Sequence, residues 1–270
     1  MNNLLLSELY IYPIKSLGGI SLNESKIEAK GLQLDRRWML VDESGMFITQ
    51  RKYHQLALLE VKIVKDQLVV SHKIDHDRCI SFPLIETLAE ETVVNIWDDE
   101  SKGVEVSKVV SQWFSNFMNM KVKLVKMPEN EQRLVDPKYA SDKEIVSFAD
   151  GYPCLIIGQS SLNLLNQKLD NSIRMDRFRP NFVFTGGEAH IEDRFQNFSL
   201  SGIHFTAVKP CARCILITID QQTGIKTADP LATLAHYRKQ DNKIIFGQNL
   251  IHKGEGIIKV GDELLIQKWK

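Results

Sequence analysis

The sequence is poor in cysteine and has no excess of either charge. Four cysteines in 270 residues are too sparse for the disulfide framework of a small secreted protein, which indicates a reducing, cytoplasmic setting. Lysine and arginine together number 34, as do aspartate and glutamate, so no overall field attracts nucleic acid or an anionic membrane. We therefore expect neither nucleic acid nor a membrane among the partners.

Long hydrophobic runs are also missing. The first residues, MNNLLLSELY, contain only three consecutive leucines with no basic residue before them, which is too little for a secretory signal peptide. No segment approaches the roughly 18 uninterrupted apolar residues that a membrane helix needs. The sequence thus predicts a soluble protein that is not exported.

Short strands dominate the first part of the chain. β-branched and aromatic residues recur between turn-forming and charged residues, a pattern typical of strands. Hairpin turns are expected at DESG (42–45) and at KD (65–66). The predicted strand segments are LLLSELYIYPI, GISLNESKIEA, RRWMLVDESG, MFITQRKY, LALLEVKIVKDQLVVSH and RCISFPL. A small β-barrel or meander is the expected result.

From about residue 104 the hydrophobic period changes from strand to helix. VEVSKVVSQWFSNFMN has apolar residues at intervals of three and four, namely Val106, Val109, Val110, Trp113, Phe114 and Phe117. KVKLVKMP then reads as a strand, and the polar, proline-bearing segment 128–144 is the best candidate for a boundary or long loop. We predict a domain change near 125, with domains at 1–125 and 126–270.

The second part is again mainly β, with two helices. CLIIGQSSLNLLNQKL predicts a strand followed by a helix with Ser160 or Ser161 at its N-cap, and ADPLATLAHYRKQ predicts a second helix. The remaining predicted strands are NFVFTGG, FSLSGIHFTAVKP, ILITID, KIIFGQNLIHKG and GIIKVGDELLIQK. The predicted fold class is therefore mainly β with a few helices (α+β).

The segment KPCARCILITID holds two of the four cysteines, Cys211 and Cys214. Structural zinc usually takes four ligands, and no second cysteine pair is present. A thioredoxin-type redox pair needs its first cysteine at a helix N-terminus, whereas ILITID has a strand pattern. Two further readings are small core hydrophobes, or a single thiolate on a soft metal whose other sulfurs come from a cofactor. The spacing by itself leaves these readings open.

Basic residues recur in loops where an anion could bind. IYPIKSLGG places Lys15 and Ser16 beside free backbone N–H groups, and LDRRWML places Arg36 and Arg37 on opposite faces if the segment is extended. RMDRFRPNFVF has several polar residues before an apolar strand: Arg174, Arg177, Arg179 and Asn181. Buried arginines need a partner, and either a bound phosphate or an internal carboxylate would serve.

Taken in order, several motifs resemble those of the MOSC family (molybdenum cofactor sulfurase C-terminal domain). They are YPIKSLGG, GLQLDRRWMLVD, ITQR, SFADGYPCLIIGQSSL, RFRPNFVF, EDRF, KPCARCILITID, IFGQNL and IKVGDELL. The closest resemblance is to the branch with an N-terminal β-barrel domain, which contains the mitochondrial amidoxime-reducing component and its bacterial relatives. This resemblance covers nearly the whole chain, and it implies an N-terminal MOSC-type β-barrel domain followed by a C-terminal MOSC β-barrel domain.

The resemblance implies a site at the seam of the two domains. Cys214 matches the protein ligand of molybdenum and is the implied catalytic residue, with two further sulfurs from the pterin dithiolene, whereas Cys211 matches a position that is not a ligand. Ala212 and Arg213 flank the implied ligand and could offer backbone N–H groups. The other residues implied to contact the cofactor are Lys15, Ser16, Arg36, Asp150, Gly151, Tyr152, Arg179 and Asn181.

The implied activity is the reduction of N-hydroxylated small molecules, such as amidoximes, by a molybdenum cofactor (Mo-molybdopterin). The chain ends without the C-x4-C-x2-C spacing of a 2Fe–2S domain, so we expect a separate iron–sulfur or flavin protein to donate the electrons. An alternative is a molybdopterin or sulfur carrier in which Cys214 holds a persulfide that Cys211 resolves.

Two segments depart from or qualify the family pattern. Glu105 and Ser107 stand where the family often has an Asp and a Gly before the helix, which puts any role of that aspartate in doubt. Glu192 and Asp193 match the family's EDRF segment, and we expect them to be structural carboxylates paired with an arginine.

Overall fold

A computed structural model describes residues 3–85, 87–140 and 142–270. The first half contains β1 (Leu5–Ile11), β2 (Ile20–Leu22), β3 (Glu24–Glu28), β4 (Gly31–Leu32), β5 (Trp38–Val41), β6 (Leu59–Val64), β7 (Gln67–His72), β8 (Cys79–Pro83), β9 (Glu91–Ile96), β10 (Asp99–Glu105), α1 (Lys108–Met118) and β11 (Lys123–Lys126). The second half contains β12 (Cys154–Gly158), α2 (Gln159–Asn166), β13 (Phe182–Thr185), β14 (Phe195–Leu200), β15 (Ile203–Arg213), α3 (Leu231–Tyr237), β16 (Lys239–Gln240), β17 (Lys243–Lys253), β18 (Gly256–Lys259) and β19 (Leu264–Trp269). The fold is mainly β with a few helices, as predicted.

The largest sheet joins strands from both halves of the chain. Its order is β19-β14-β15-β17-β12-β13-β1-β2, and β16 pairs with β17 at one side. β1 runs antiparallel to β13, while β12 and β13 are parallel. In a second, three-stranded sheet, β18 from the second half pairs with β3 from the first. The two halves therefore share sheets, and the domain change near 125 stays a prediction.

Two further sheets, β5-β11-β10-β9 and β6-β7-β8, complete the first half, and both turns expected there are present. Helix α1 begins where the sequence predicts, because the hydroxyl of Ser107 accepts a hydrogen bond from the Val110 N–H and caps the helix. Val110, Phe114 and Met118, spaced by four, form its buried face. Val109 lies one residue off that face and is 75% exposed, so the prediction was wrong for this residue.

Two local predictions in the second half were wrong. ILITID is not a strand, since Ile215–Thr218 form a 3-10 turn and β15 has already ended at Arg213. Short apolar runs of this kind do not distinguish a strand from a buried turn by periodicity. Neither Ser160 nor Ser161 is the N-cap of α2, which begins after Gly158.

The carboxylate of Glu192 explains the start of α2. It accepts hydrogen bonds from the hydroxyl of Ser161 at 2.7 Å and from the N–H of Gly158, 34 residues earlier in the chain, at 3.2 Å, so a distant loop holds the start of the helix. Glu192 is fully buried, and burial raises the pKa of its carboxyl. The expected arginine pairing holds for Asp193, which binds Arg238, whereas Glu192 bonds to Ser161 and Gly158. Within the described ranges, no helix is long and apolar enough to cross a membrane.

Candidate active site

A cleft of about 1180 Å³ opens between the two halves of the chain. Its lining includes every residue that the family resemblance implied, although their roles stay predictions: Lys15, Ser16, Arg36, Asp150, Gly151, Tyr152, Arg179, Asn181, Ala212, Arg213 and Cys214. Sequence positions from 15 to 214 thus meet around one cavity. The cleft is therefore the candidate active site.

Cys214 lies just past the end of β15, at the N-cap position before the 3-10 turn, and its side chain is exposed to the cleft. The register of β15 against β17 shifts between Pro210 and Ala212, which is a bulge of the kind that re-aims side chains near functional sites. Cys211, within this bulge, is half-buried, and burial raises the pKa of its thiol. The two cysteines therefore lie in different environments.

The described part of the chain contains no group of three or more His, Cys, Asp or Glu side chains placed to hold a metal ion. A structural zinc site usually needs four protein ligands, so the zinc reading of the cysteine pair has no support. The thioredoxin reading needs a helix after the first cysteine, whereas Cys211 is inside a strand. One exposed cysteine side chain, that of Cys214, is what this cleft offers to a metal.

Asp150 is the centre of a polar network in the cleft. Its carboxylate accepts hydrogen bonds from Lys15 Nζ at 2.6 Å, from Arg51 Nη2 at 2.8 Å and from Trp97 Nε1 at 3.3 Å. Lys15 Nζ also donates to the carbonyl of Phe148 at 2.7 Å. Burial by itself would raise the pKa of Asp150, but the charges of Lys15 and Arg51 outweigh it and hold that pKa well below its usual range.

Two guanidinium groups, those of Arg36 and Arg179, pack against the ring of Tyr12, each with its central carbon 4.3 Å from the ring centroid. Arg36 pairs with Asp35 at 2.6 Å and donates to the carbonyl of Arg179 at 3.1 Å. The guanidinium of Arg179 has neither a hydrogen bond nor an ion pair with any residue that the structure describes. Burial lowers the pKa of Arg179 to about 10. An arginine without a carboxylate partner at a cleft wall favours a bound anion.

The backbone around Arg36 differs from the expected extended segment. Arg36 has a φ of 50°, in the left-handed region, so Arg36 and Arg37 do not alternate as they would in a strand. Arg37 is buried and pairs with Glu28 at 3.1 Å, away from the cleft lining. Arg177 likewise has an internal partner, Asp220, at 2.7 Å. Carboxylates of the chain therefore pair with these two arginines, but not with Arg179.

Two of the implied residues use their side chains to hold the backbone. The amide of Asn181 donates to the carbonyl of Tyr10 at 3.2 Å and accepts from the Leu155 N–H at 3.2 Å. The guanidinium of Arg213 donates to the carbonyls of Phe246 at 2.8 Å and Phe178 at 2.9 Å. Because Phe178 precedes Arg179, Arg213 ties the strand before Cys214 to the loop that carries the unpaired arginine.

The remaining implied residues line the cleft in different ways. A Cβ on Gly151 would meet nothing within 4 Å, so this position is open. Tyr152 packs edge-on against Tyr139, with ring centroids 6.0 Å apart. Ser16 has a φ of 74°, and its hydroxyl lies 3.4 Å from the carbonyl of Ile48. Ala212 lies in β15 opposite Ile245.

The sequence analysis assigned no role to three residues that the structure brings into this site: Arg51, Trp97 and Arg133. Arg51 belongs to the ITQR motif, which was the available signal. Trp97 and Arg133 carry no local pattern that marks them. Arg133 is buried, and its guanidinium donates to three backbone carbonyls and one carboxylate, those of Ser147, Ala149, Asp150 and Asp99. It thereby fixes the loop that carries Asp150.

Replacing Arg133 by methionine should destabilise the protein by more than about 3 kcal/mol, since a single hydrogen bond to a charged group is worth roughly 1.5–3 kcal/mol. Urea unfolding followed by fluorescence measures the loss. The exposed pair of Arg78 and Asp75 supplies the control, because Arg78→Gln should change the unfolding free energy by less than about 1 kcal/mol. Equal effects of the two variants would show that Arg133 does not hold the loop.

The residues present fit a phosphorylated molybdenum cofactor on two counts. The cleft offers one exposed thiol with no neighbouring ligand cluster in the described residues, which suits a metal whose other sulfurs come from the cofactor. It also has, in Arg179, a buried cation without a carboxylate partner among those residues, which suits a phosphate.

A cationic cleft with one exposed thiol, formed by a mainly β chain in two halves, indicates the class of protein. Residues 3–121 match the MOSC N-terminal beta barrel domain, and residues 143–265 match the MOSC domain. The chain therefore belongs to the MOSC family.

Among curated proteins, mitochondrial amidoxime-reducing component 1 of Mus musculus is 30% identical over 281 residues, covering 97% of this chain and 82% of that protein. The Homo sapiens protein of the same name is 28% identical over 278 residues with the same coverage. The molybdenum cofactor sulfurase of Oryza sativa subsp. japonica is 27% identical over 98% of this chain, but only 34% of that protein is covered. Among solved structures, the YUAD protein of Bacillus subtilis is 10% identical, with 97% of this chain and 94% of that one covered, at a TM-score of 0.42, too low to support a structural inference.

Proposed function

We propose that the protein is a molybdenum-cofactor-dependent oxidoreductase that reduces N-hydroxylated small molecules, such as amidoximes, with electrons from a separate donor protein. The observation that carries the proposal is the exposed thiol of Cys214 in a cleft whose wall includes the unpaired guanidinium of Arg179. The names of the amidoxime-reducing relatives support the substrate class.

In this proposal Cys214 is the metal ligand. Arg179 and Arg36, on the ring of Tyr12, bind the phosphate of the pterin. Lys15 and Asp150 line the same wall, and Ser16, Gly151 and Tyr152 complete it. When bound, the molybdenum cofactor supplies a two-electron redox couple suited to oxygen-atom chemistry. Asn181 and Arg213 hold the backbone around the cofactor, because their side chains bond to main-chain carbonyls.

The net reaction adds two electrons and two protons to the substrate. For an amidoxime the N–O bond breaks: the hydroxyl takes one proton and leaves as water, and the nitrogen takes the electron pair and the second proton to give the amidine. The two electrons must come from outside the chain, and an iron–sulfur or flavin protein is the proposed donor. All four cysteines are free thiols, which supports the cytoplasmic location expected from the sequence.

A carrier of molybdopterin or sulfur is the second candidate. Cys211 and Cys214 line the same cleft, so a persulfide on Cys214 has a second thiol nearby in the chain. The similarity to molybdenum cofactor sulfurases supports this alternative. It differs from the first proposal in one respect, because a carrier does not turn over a small-molecule substrate.

The test uses protein made in a host that synthesises the molybdenum cofactor. Elemental analysis measures molybdenum per chain, and dithionite or reduced viologen replaces the unknown donor. We expect about one molybdenum per chain, because the proposed site has a single cysteine ligand. We also expect conversion of benzamidoxime to benzamidine, detected by chromatography. Bound molybdenum without any benzamidine favours a cofactor carrier, and protein without molybdenum refutes the reductase and leaves the sulfur carrier as the only one of the two candidates.

A further inference from the structure

We infer that Arg51 is a positioning residue for Cys214, and that its hydrogen bond to the sulfur tunes the metal; this inference rests on the proposed function. Arg51 Nε lies 3.1 Å from Cys214 Sγ and donates to it. The two residues are 163 positions apart, one in each half of the chain. The N–H group therefore reaches the thiol of the second half from the loop that follows β5.

Four contacts fix the guanidinium of Arg51. Its Nη2 donates to Asp150 Oδ2 at 2.8 Å, its Nη1 lies 3.5 Å from Thr49 Oγ1, and its central carbon lies 4.4 Å from the ring centroid of Trp97. The fourth contact is the sulfur itself. A planar guanidinium can make such contacts in several directions at once, whereas a lysine ammonium is a point charge on a flexible stem.

Asp150 and Trp97, which contact Arg51, are fixed by hydrogen bonds of their own. Asp150 receives a second cation, Lys15, at 2.6 Å, and Trp97 Nε1 donates to the same carboxylate at 3.3 Å. The side chain of Arg51 is only 17% exposed, although it borders the cleft. The direction of its Nε–H toward the sulfur is therefore set by neighbours in both halves of the chain.

Such a donor has two physical consequences for a thiolate that binds a metal. Partners that hydrogen-bond to a ligand orient it, and their loss typically costs 10–100-fold in metal affinity or activity. A hydrogen bond and a positive charge at the sulfur also withdraw electron density, which favours the reduced state of the metal. Arg51 should thus strengthen retention of the cofactor and raise its reduction potential.

The experiment compares Arg51→Gln and Arg51→Lys with the wild-type protein loaded with cofactor. Arg78→Gln is the control, because Arg78 is exposed and its ion pair with Asp75 lies at the surface. Loss of molybdenum during dialysis is measured by elemental analysis, and a redox titration followed by the Mo(V) EPR signal gives the midpoint potential. We expect both Arg51 variants to release molybdenum about 10-fold to 100-fold faster. Their midpoint potentials should be more negative, with the larger shift in Arg51→Gln, which also loses the charge.

Trp97→Leu provides a second route, since it removes the ring beneath the guanidinium and leaves Arg51 and Cys214 in place. A smaller shift of the midpoint potential in the same direction is expected, and this result supports the inference even if an Arg51 variant fails to fold. Retention and midpoint potential equal to those of Arg78→Gln in all three variants would overturn the inference while the proposed function stands. Absence of molybdenum from the wild-type protein overturns the proposed function, and this inference with it.

Discussion

Cys214→Ser should lose at least about 100-fold in reductase activity and most of its molybdenum, because even the loss of an outer partner of a metal ligand costs 10–100-fold. The hydroxyl of serine is a harder donor than a thiolate and does not replace it on a sulfur-loving metal. Elemental analysis and benzamidoxime turnover measure the two effects. The unfolding free energy should change by less than about 0.5 kcal/mol, since the side chain is exposed to the cleft.

Cys211→Ser is the matched control for this variant. Cys211 lies three residues earlier, within β15, is half-buried, and is not the proposed ligand. Its replacement should leave molybdenum content and turnover close to those of the wild-type protein. Equal damage at the two positions would favour a redox pair, and full turnover in Cys214→Ser would end the assignment of the ligand.

Arg179→Asn should lower the affinity for the cofactor by roughly 10-fold to 150-fold, because a hydrogen bond to a charged group is worth about 1.5–3 kcal/mol. Asparagine suits this test, since Arg179 has a φ of 54° and asparagine tolerates the left-handed region better than alanine. Molybdenum content after gel filtration measures the loss.

The same variant should have the opposite effect on the protein without cofactor. The guanidinium of Arg179 is buried, and its lowered pKa of about 10 reflects the cost of that burial. Removing an unpaired buried charge should leave the thermal stability of the cofactor-free protein unchanged or higher. Arg174→Gln, at an exposed arginine of the same segment, should change neither quantity. Unaltered molybdenum content in Arg179→Asn would show that Arg179 does not contact the cofactor.

The elements that the sequence predicted well are those with a local cause. Helix α1 follows from a 3.6-residue period with a serine cap, and β6 and β7 follow from alternation around a two-residue turn. The errors have non-local causes. α2 starts early, where Glu192 from a distant loop bonds to the N–H of Gly158, and residues 215–218 form a 3-10 turn after β15 ends at Arg213.

The site was only partly predictable for the same reason. The family motifs predicted eleven site residues, and all of them line the cleft. The motifs did not show that Asn181 and Arg213 bond to backbone carbonyls, or that Arg133 fixes the loop of Asp150. These contacts depend on which backbone atoms another strand or loop brings within reach, which no local pattern encodes.

By itself the sequence determined the mainly β class, the position of the main amphipathic helix, and an ordered set of motifs around one cysteine pair, because periodicity and spacing are properties of neighbouring residues. Only the tertiary structure decided which cysteine of the pair is exposed in the cleft, which arginine lacks a carboxylate, and which side chain reaches the sulfur. Arg51 and Cys214 meet across 163 residues, and Arg51 and Asp150 across 99. Such contacts form when two halves of a chain pack and share sheets, so their geometry is a property of the packing.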